Sequence, residues 1–215
     1  MAASRRSLVR GVAWFLGVTL VLGLGITAWI VVPILTSTPQ GSSGQERVVE
    51  GFPQSVSATG DDGRTRTLAA QHDGEPARDL SALRVGDRIV VSGSGYNPAQ
   101  GIYVAVCKVP DSRRIKPGPC LGGVPSTEEE GLSSVGAIDY AASNWVNDEW
   151  AWRLFGARSF DDRDAGTFTA YIEIPAVADE NVDCSRVTCG LYTRNDHTAL
   201  EDRVQDLYVP VAFAE

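Results

Sequence analysis

The stretch LRVGDRIVVSGSGYNPAQGIYVAVC, residues 83–107, decides the fold. Arg88-Ile89-Val90-Val91-Ser92 and Ile102-Tyr103-Val104-Ala105-Val106-Cys107 are short runs rich in β-branched residues. Between them, Gly93 to Gly101 supplies glycine, asparagine and proline, the residues that turns demand. The reading is strand, turn, strand. Working outward, Thr167–Ile174, Val187–Thr193 and Leu207–Phe213 read as further strands. Toward the N-terminus, Ser55–Ala58 and Thr65–Ala69 alternate around Asp61-Asp62-Gly63, as a hairpin or as the first strand of the main domain. Short strands separated by Gly, Pro and Asp turns, with no long helical period after residue 38, predict an all-β sandwich.

One segment has a different solvent. Residues 12–35, VAWFLGVTLVLGLGITAWIVVPIL, lie in a run without charge from Gly11 to Thr38. As a helix its 24 residues span about 36 Å, enough for a hydrocarbon core of ~30 Å. Trp14 and Trp29 lie toward its ends, where indoles favour the interface. Arg5, Arg6 and Arg10 precede it and place the N-terminus in the cytoplasm. A cleaved signal peptide is the competing reading, but such peptides carry a shorter apolar stretch and a small-x-small site, which Pro33–Thr38 does not offer. The predicted layout is residues 1–10 cytoplasmic, 11–36 a transmembrane signal-anchor helix, 37–50 a flexible linker and 51–215 an extracytoplasmic β-sandwich, with the protein in the cell membrane.

Three of the 19 basic residues precede the apolar run, leaving sixteen against all 27 acidic residues, a net of −11 on the exported part. Such a surface repels nucleic-acid phosphates, so no nucleic-acid partner is expected. With only Lys108 and Lys116 as lysines and abundant Arg, Ala, Gly and Val, the composition suits a GC-rich, actinobacterial genome. All four cysteines, Cys107, Cys120, Cys184 and Cys189, follow the apolar run. Four cysteines allow three pairings, and an exported compartment lets disulfides persist.

Three stretches resemble the neocarzinostatin family, the apoproteins that carry enediyne chromophores. Leu83 to Tyr96 is similar to the family's Gly-Leu-x-x-Gly, apolar strand and Gly-x-Gly. The next strand ends in Cys107, and Val182-Asp183-Cys184 precedes Cys189 at the family's spacing. The similarity covers roughly residues 82–213, with an enlarged middle. It implies an immunoglobulin-like seven-stranded sandwich with a side ribbon, and disulfides Cys107–Cys120 and Cys184–Cys189. The first loop, of ~14 residues, would contribute ~3 kcal/mol in the chain-entropy picture. The resemblance also implies a ligand cleft beside the first disulfide, walled by Gly190, Tyr192 and Arg194 on one side and Ala105, Cys107 and Val109 on the other. The family keeps the position of Tyr192 small, so a tyrosine there would partly fill the cleft. An anchored chain also departs from the family's released carriers.

The stretch Ser126–Asp164 is long for a sandwich loop and holds Tyr140, Trp145, Trp150, Trp152, Phe155 and Phe160. Trp145, Trp150 and Trp152 line a binding surface, or they plug the cleft and cover a sheet face; on a strand Trp150 and Trp152 would share a face. His72 and His197 read as solvated, as do Glu128-Glu129-Glu130, Asp161-Asp162-x-Asp164 and the basic spot Arg113-Arg114-x-Lys116. No cofactor, metal set or catalytic constellation is read. The leading expectation is a non-enzymatic, membrane-anchored binding module of a bacterial envelope, engaging a partner protein or envelope ligand. The alternatives are a carrier or resistance protein for an apolar small molecule, and an accessory subunit whose helix, with Gly17, Gly23 and Gly25, packs in a membrane complex.

Overall fold

A computed structural model describes residues 2–123 and 140–214. The chain divides into two compact units, Met1–Ser37 and Thr38–Glu215. The first is a single helix, α1, Ala2–Thr36. Within it Gly11–Thr36 has a mean hydropathy of 2.4 and is long and apolar enough to cross a membrane, as an anchor or as a signal sequence. Its hydroxyls are satisfied inside the helix: Thr19 Oγ1 donates to Phe15 O at 3.0 Å, Thr27 to Gly23 O at 2.9 Å and Thr36 to Val32 O at 2.8 Å. In a bilayer no water would satisfy them.

The second unit is β-rich. Its strands are β1 Ser55–Thr59, β2 Thr65–His72, β3 Arg88–Ser94, β4 Ile102–Lys108, β5 Ser143–Val146, β6 Phe168–Glu173, β7 Cys189–Asn195 and β8 Tyr208–Val211. They form two antiparallel four-stranded sheets, β1-β2-β3-β6 and β5-β4-β7-β8. The described residues thus hold eight strands where the resemblance implies seven. Residues 55–69 resolve into a hairpin, with Ser57 opposite Thr67, at the edge of the first sheet.

Alternation decides which face of each strand is buried. Leu68 and Ala70 on β2, Ile89 and Val91 on β3, and Phe168, Ala170 and Ile172 on β6 point inward. They meet Ile102, Val104 and Val106 of β4, Leu191 of β7 and Val209 of β8 in one core. Tyr96 links the sheets: its ring meets Phe168 edge-on at 5.0 Å, and its hydroxyl shares a 2.9 Å hydrogen bond with Thr193 Oγ1.

Arg66 breaks the apolar row. It is fully buried on the inward face of β2, and its guanidinium grips Asp62 of the β1–β2 turn through Nη1 at 2.9 Å and Nη2 at 2.5 Å. Burial pushes the Asp62 carboxyl up, but its hydrogen bonds from Arg66 and from the Arg64 N–H outweigh burial and hold it below the usual carboxylate value.

Three expectations change. The predicted flexible linker 37–50 is held from Ser42 to Val48: Gly41 O accepts from Arg203 N at 3.0 Å, and Gln45 bonds both backbone groups of Tyr208, Nε2 to O at 2.8 Å and N to Oε1 at 2.7 Å. Its polar side chains match exposed backbone of the edge strand β8, which composition does not reveal. His72 is buried rather than solvated, with Nε2 3.2 Å from Asp79 O, because the β2 alternation turns it inward. The long segment 126–164 contains the edge strand β5 and a helical turn, α2, Trp150–Arg153, while Glu128, Glu129 and Glu130 lie outside the described residues.

Replacing Asp62 with alanine leaves the Arg66 charge buried and unpaired and is expected to cost about 3–5 kcal/mol. Urea unfolding of the disulfide-intact protein measures it; adding Arg66→Met to Asp62→Ala should recover part of the loss.

Candidate functional site

The outward face of the second sheet is where the chain departs from a plain sandwich. Register arranges its side chains in rows. Tyr103 of β4 stands opposite Trp145 of β5 and Arg194 of β7. The next row places Ala105 opposite Ser143 and Tyr192, and Tyr192 opposite Tyr208 of β8. A third sets Cys107 opposite Gly190 and Gly190 opposite Pro210. A solvated face would carry polar residues at these positions; here it is largely covered.

The second and third rows build a small apolar cluster of Ala105, Cys107, Val109, Cys120, Tyr192 and Tyr208, with Val48 packed against it. Tyr192 and Tyr208 stack at 4.8 Å with planes 20° apart. Gly190 is required beneath them, since a Cβ there would lie 2.6 Å from Tyr208 Cδ2. Both disulfides form, Cys107–Cys120 and Cys184–Cys189. The first folds residues 109–120 back over the sheet, and Arg194 Nη1 ties this loop down by donating to Pro117 O at 3.2 Å.

Between that loop and the strap 42–48 runs a groove of about 280 Å³. Tyr192 and Tyr208 form its floor, Val109, Pro110 and Ile115 one wall, and Ser43, Gln45 and Arg47 the other. Burial drives the Tyr192 hydroxyl to stay protonated, and the neighbouring Tyr208 adds to it. Asp206 also lines the groove and is 7 % exposed. Its Oδ2 accepts from Arg203 Nη1 at 2.9 Å, while its buried Oδ1 makes no hydrogen bond of normal geometry. Burial pushes the Asp206 carboxyl up to about 7, against the pull of Arg203, the Asn195 backbone N–H and Arg194.

The first row belongs to a second, aromatic cluster. Trp145 is buried and lies 5.9 Å from Tyr103, 5.7 Å from Trp152 and 5.4 Å from His197, ring to ring. Trp152 meets His197 edge-on at 4.6 Å, and the Tyr103 hydroxyl lies 3.1 Å from His197 Nδ1. His197 is therefore half-buried in an aromatic cage rather than solvated. Trp145 Nε1 and Asn147 Nδ2 both donate to Asp196 Oδ2 at 2.8 Å. Burial raises the Tyr103 hydroxyl to about 12, with the Asp196 charge adding to the effect.

Of the residues read from sequence as ligand-binding, Tyr192 and Val109 reach the groove, and Ala105 lies in the cluster beneath it. Arg194 holds the loop and places its guanidinium 5.7 Å from the centre of the Tyr103 ring. Trp145 and Trp152 lie together in the other cluster. Trp150 is 64 % exposed on the far side of α2 from Trp152, because two residues on a helix turn through about 200° where on a strand they share a face. Sequence reasoning missed Gln45, Asp206 and Tyr208. The alternation Tyr208-Val209-Pro210-Val211 was the available signal for Tyr208; the other two carry none. Among the described residues no three His, Cys, Asp or Glu converge as a metal set. Asp162 instead accepts the Asp164 and Ala165 N–H groups at 2.8 and 3.1 Å, closing a turn.

The raised Asp206 carboxyl sets a pH dependence. Its folded value, about 7, lies above the ordinary 3.8, so the folded domain holds this proton more tightly than the unfolded chain. The stability it contributes is full below pH ~4 and is lost as pH rises through about 7. Denaturant midpoints measured across that window should fall with rising pH in the native protein, and Asp206→Asn should flatten the slope.

Comparison of the chain with known proteins finds no matching family model, no matching curated protein and no matching solved structure.

Proposed function

We propose that this chain is a non-enzymatic, single-pass protein of a bacterial, actinobacterial-type cell envelope. Its N-terminus is cytoplasmic, α1 is an uncleaved anchor, and its exported sandwich binds a partner through the groove on its second sheet. One observation carries the reading: an open groove with an aromatic floor and a buried carboxylate lies beside the Cys107–Cys120 disulfide, where the neocarzinostatin resemblance places a ligand cleft. The strand orders β1-β2-β3-β6 and β5-β4-β7-β8, with β3 and β4 adjacent in sequence but in different sheets, support an immunoglobulin-like arrangement. The two disulfides and the absence of free cysteines among the described residues suit the outside of the cell.

The groove favours a protein or envelope ligand over an antibiotic chromophore. At about 280 Å³ it lies just below the usual range for small-molecule pockets. Tyr192 and Tyr208 occupy the space that a deeper cleft would need. A side chain or a short apolar group of a larger partner fits such a hollow, with Arg47, Asp111 and Arg113 available around it for polar contacts.

Affinity capture of the full-length tagged protein from its own membranes, read by mass spectrometry for proteins and small molecules, tests this. Ser112→Trp, which fills the groove from an exposed position, should lower recovery of the partner by about tenfold, equivalent to 1.4 kcal/mol. Exchange of α1 for an unrelated transmembrane helix should leave recovery unchanged. A partner lost on helix exchange but kept by Ser112→Trp would move the function into the membrane segment.

A further inference from the structure

We propose that Trp150, Leu154 and Phe155 form a second membrane contact, seated at the headgroup–acyl boundary of the bilayer that anchors the chain. This rests on the reading that α1 remains in the membrane.

Three observations converge on it. The first is where exposed apolar surface lies. Among the described residues after 38, seven large apolar side chains are exposed, and four of them are Trp150 at 64 %, Leu154 at 72 %, Phe155 at 62 % and Leu200 at 40 %. The others are scattered singly, as on any soluble surface. The second is which end of the sandwich they occupy. Gly93 pairs with Phe168, and Ile102 pairs with both Val146 and Asn195, so the β3–β4, β5–β6 and β7–β8 connections emerge at one end. Residues 150–155 belong to the β5–β6 connection and Leu200 to the β7–β8 connection.

The third is where the chain arrives from α1. Ser42 bridges Arg203 in the β7–β8 connection, and its carbonyl accepts from Asp61 N in the β1–β2 turn at 2.9 Å. Both lie at that same end. Five residues, 37–41, separate α1 from Ser42, a tether of at most ~20 Å. The end at which the chain enters the domain is therefore the end that carries the exposed apolar group.

The tip is also built to present these side chains rather than to hide them. Trp152 is locked against His197 and Trp145, and Trp145 is bonded to Asp196, so the opposite side of α2 is held outward. Little ordering remains to be lost on insertion. Tryptophan, phenylalanine and leucine are the residues of an interfacial seat. Around them the exposed acids Glu149, Asp161, Asp162 and Asp164 outnumber the exposed bases Arg153 and Arg163, which favours a zwitterionic lipid interface over an anionic one.

The test uses the full-length chain in phosphatidylcholine vesicles. Because the native cysteines are all disulfide-bonded, single nitroxide labels can be placed through Leu154→Cys, Val85→Cys and Leu22→Cys. Val85 is an exposed apolar residue at the opposite end of the domain, and Leu22 lies within α1. Relative accessibility to oxygen and to a water-soluble nickel complex reads their surroundings. The label at 154 should favour oxygen severalfold over the label at 85 and approach the one at 22. A label at 154 that matches position 85 while position 22 is embedded overturns the seat and leaves the anchor standing. A label at 22 that is not embedded overturns both. Protection of position 154 that appears only in native membranes overturns the lipid assignment in favour of a protein partner.

Discussion

One end of this domain is assembled around the Asp196 carboxylate. It is fully buried and accepts from Trp145 Nε1, Asn147 Nδ2, the Thr198 N–H and the Thr198 hydroxyl. Its own N–H donates to Gly101 O, and a Cβ at Gly101 would fall 1.9 Å from Asp196 Oδ2. A buried carboxylate is tolerated only when donors replace its water, so each of these groups is fixed by the others. Through them the end of β5, the β3–β4 turn and the start of the β7–β8 connection take one arrangement. The aromatic cage around His197 and the outward side of α2 follow from it.

Legibility in the sequence tracked distance along the chain. The β3–β4 unit was readable because its alternation and its turn residues lie within twenty-five positions, and the inward set Ile89, Val91, Ile102, Val104 and Val106 is the one that alternation selects. The apolar helix was readable from length and composition alone. β5 was not: Ser143-Asn144-Trp145-Val146 is four residues, all buried, on an edge, so no period shows. The strap was not readable either, since Gly41 to Gln45 has the composition of a linker and gains its structure from Asp61 in the β1–β2 turn and from Tyr208 and Arg203, some 160 residues away.

The candidate site was legible by halves for the same reason. Tyr192 and Val109, which line the groove, were pointed to by the neocarzinostatin resemblance, counted along strands from the cysteines. Asp206 and Arg203 form an ion pair whose meaning depends on the wall that the strap places over it. Arg66 makes the related point for the core: a charged residue at an inward β2 position reads as an error in the alternation until Asp62 is found across the turn. The aromatic residues of 145–155 stand close together in the sequence, yet they divide into a buried set and an exposed set, and only the change from strand to helix at Trp150 makes that division.

The strap changes where this domain begins. Gln45 supplies two hydrogen bonds to the backbone of Tyr208, and the Val48 N–H donates to the Tyr208 hydroxyl at 2.8 Å. The residues that look like a tether thus form one wall of the groove and finish the edge of β8. A recombinant fragment cut at residue 46 or 51 would carry the complete set of strands and both disulfides, but would expose the backbone of Tyr208 as an open sheet edge and lack half of the groove. The natural cut for a soluble version lies before Gly41, and any homologue shortened beyond that point would need another way to close the same edge.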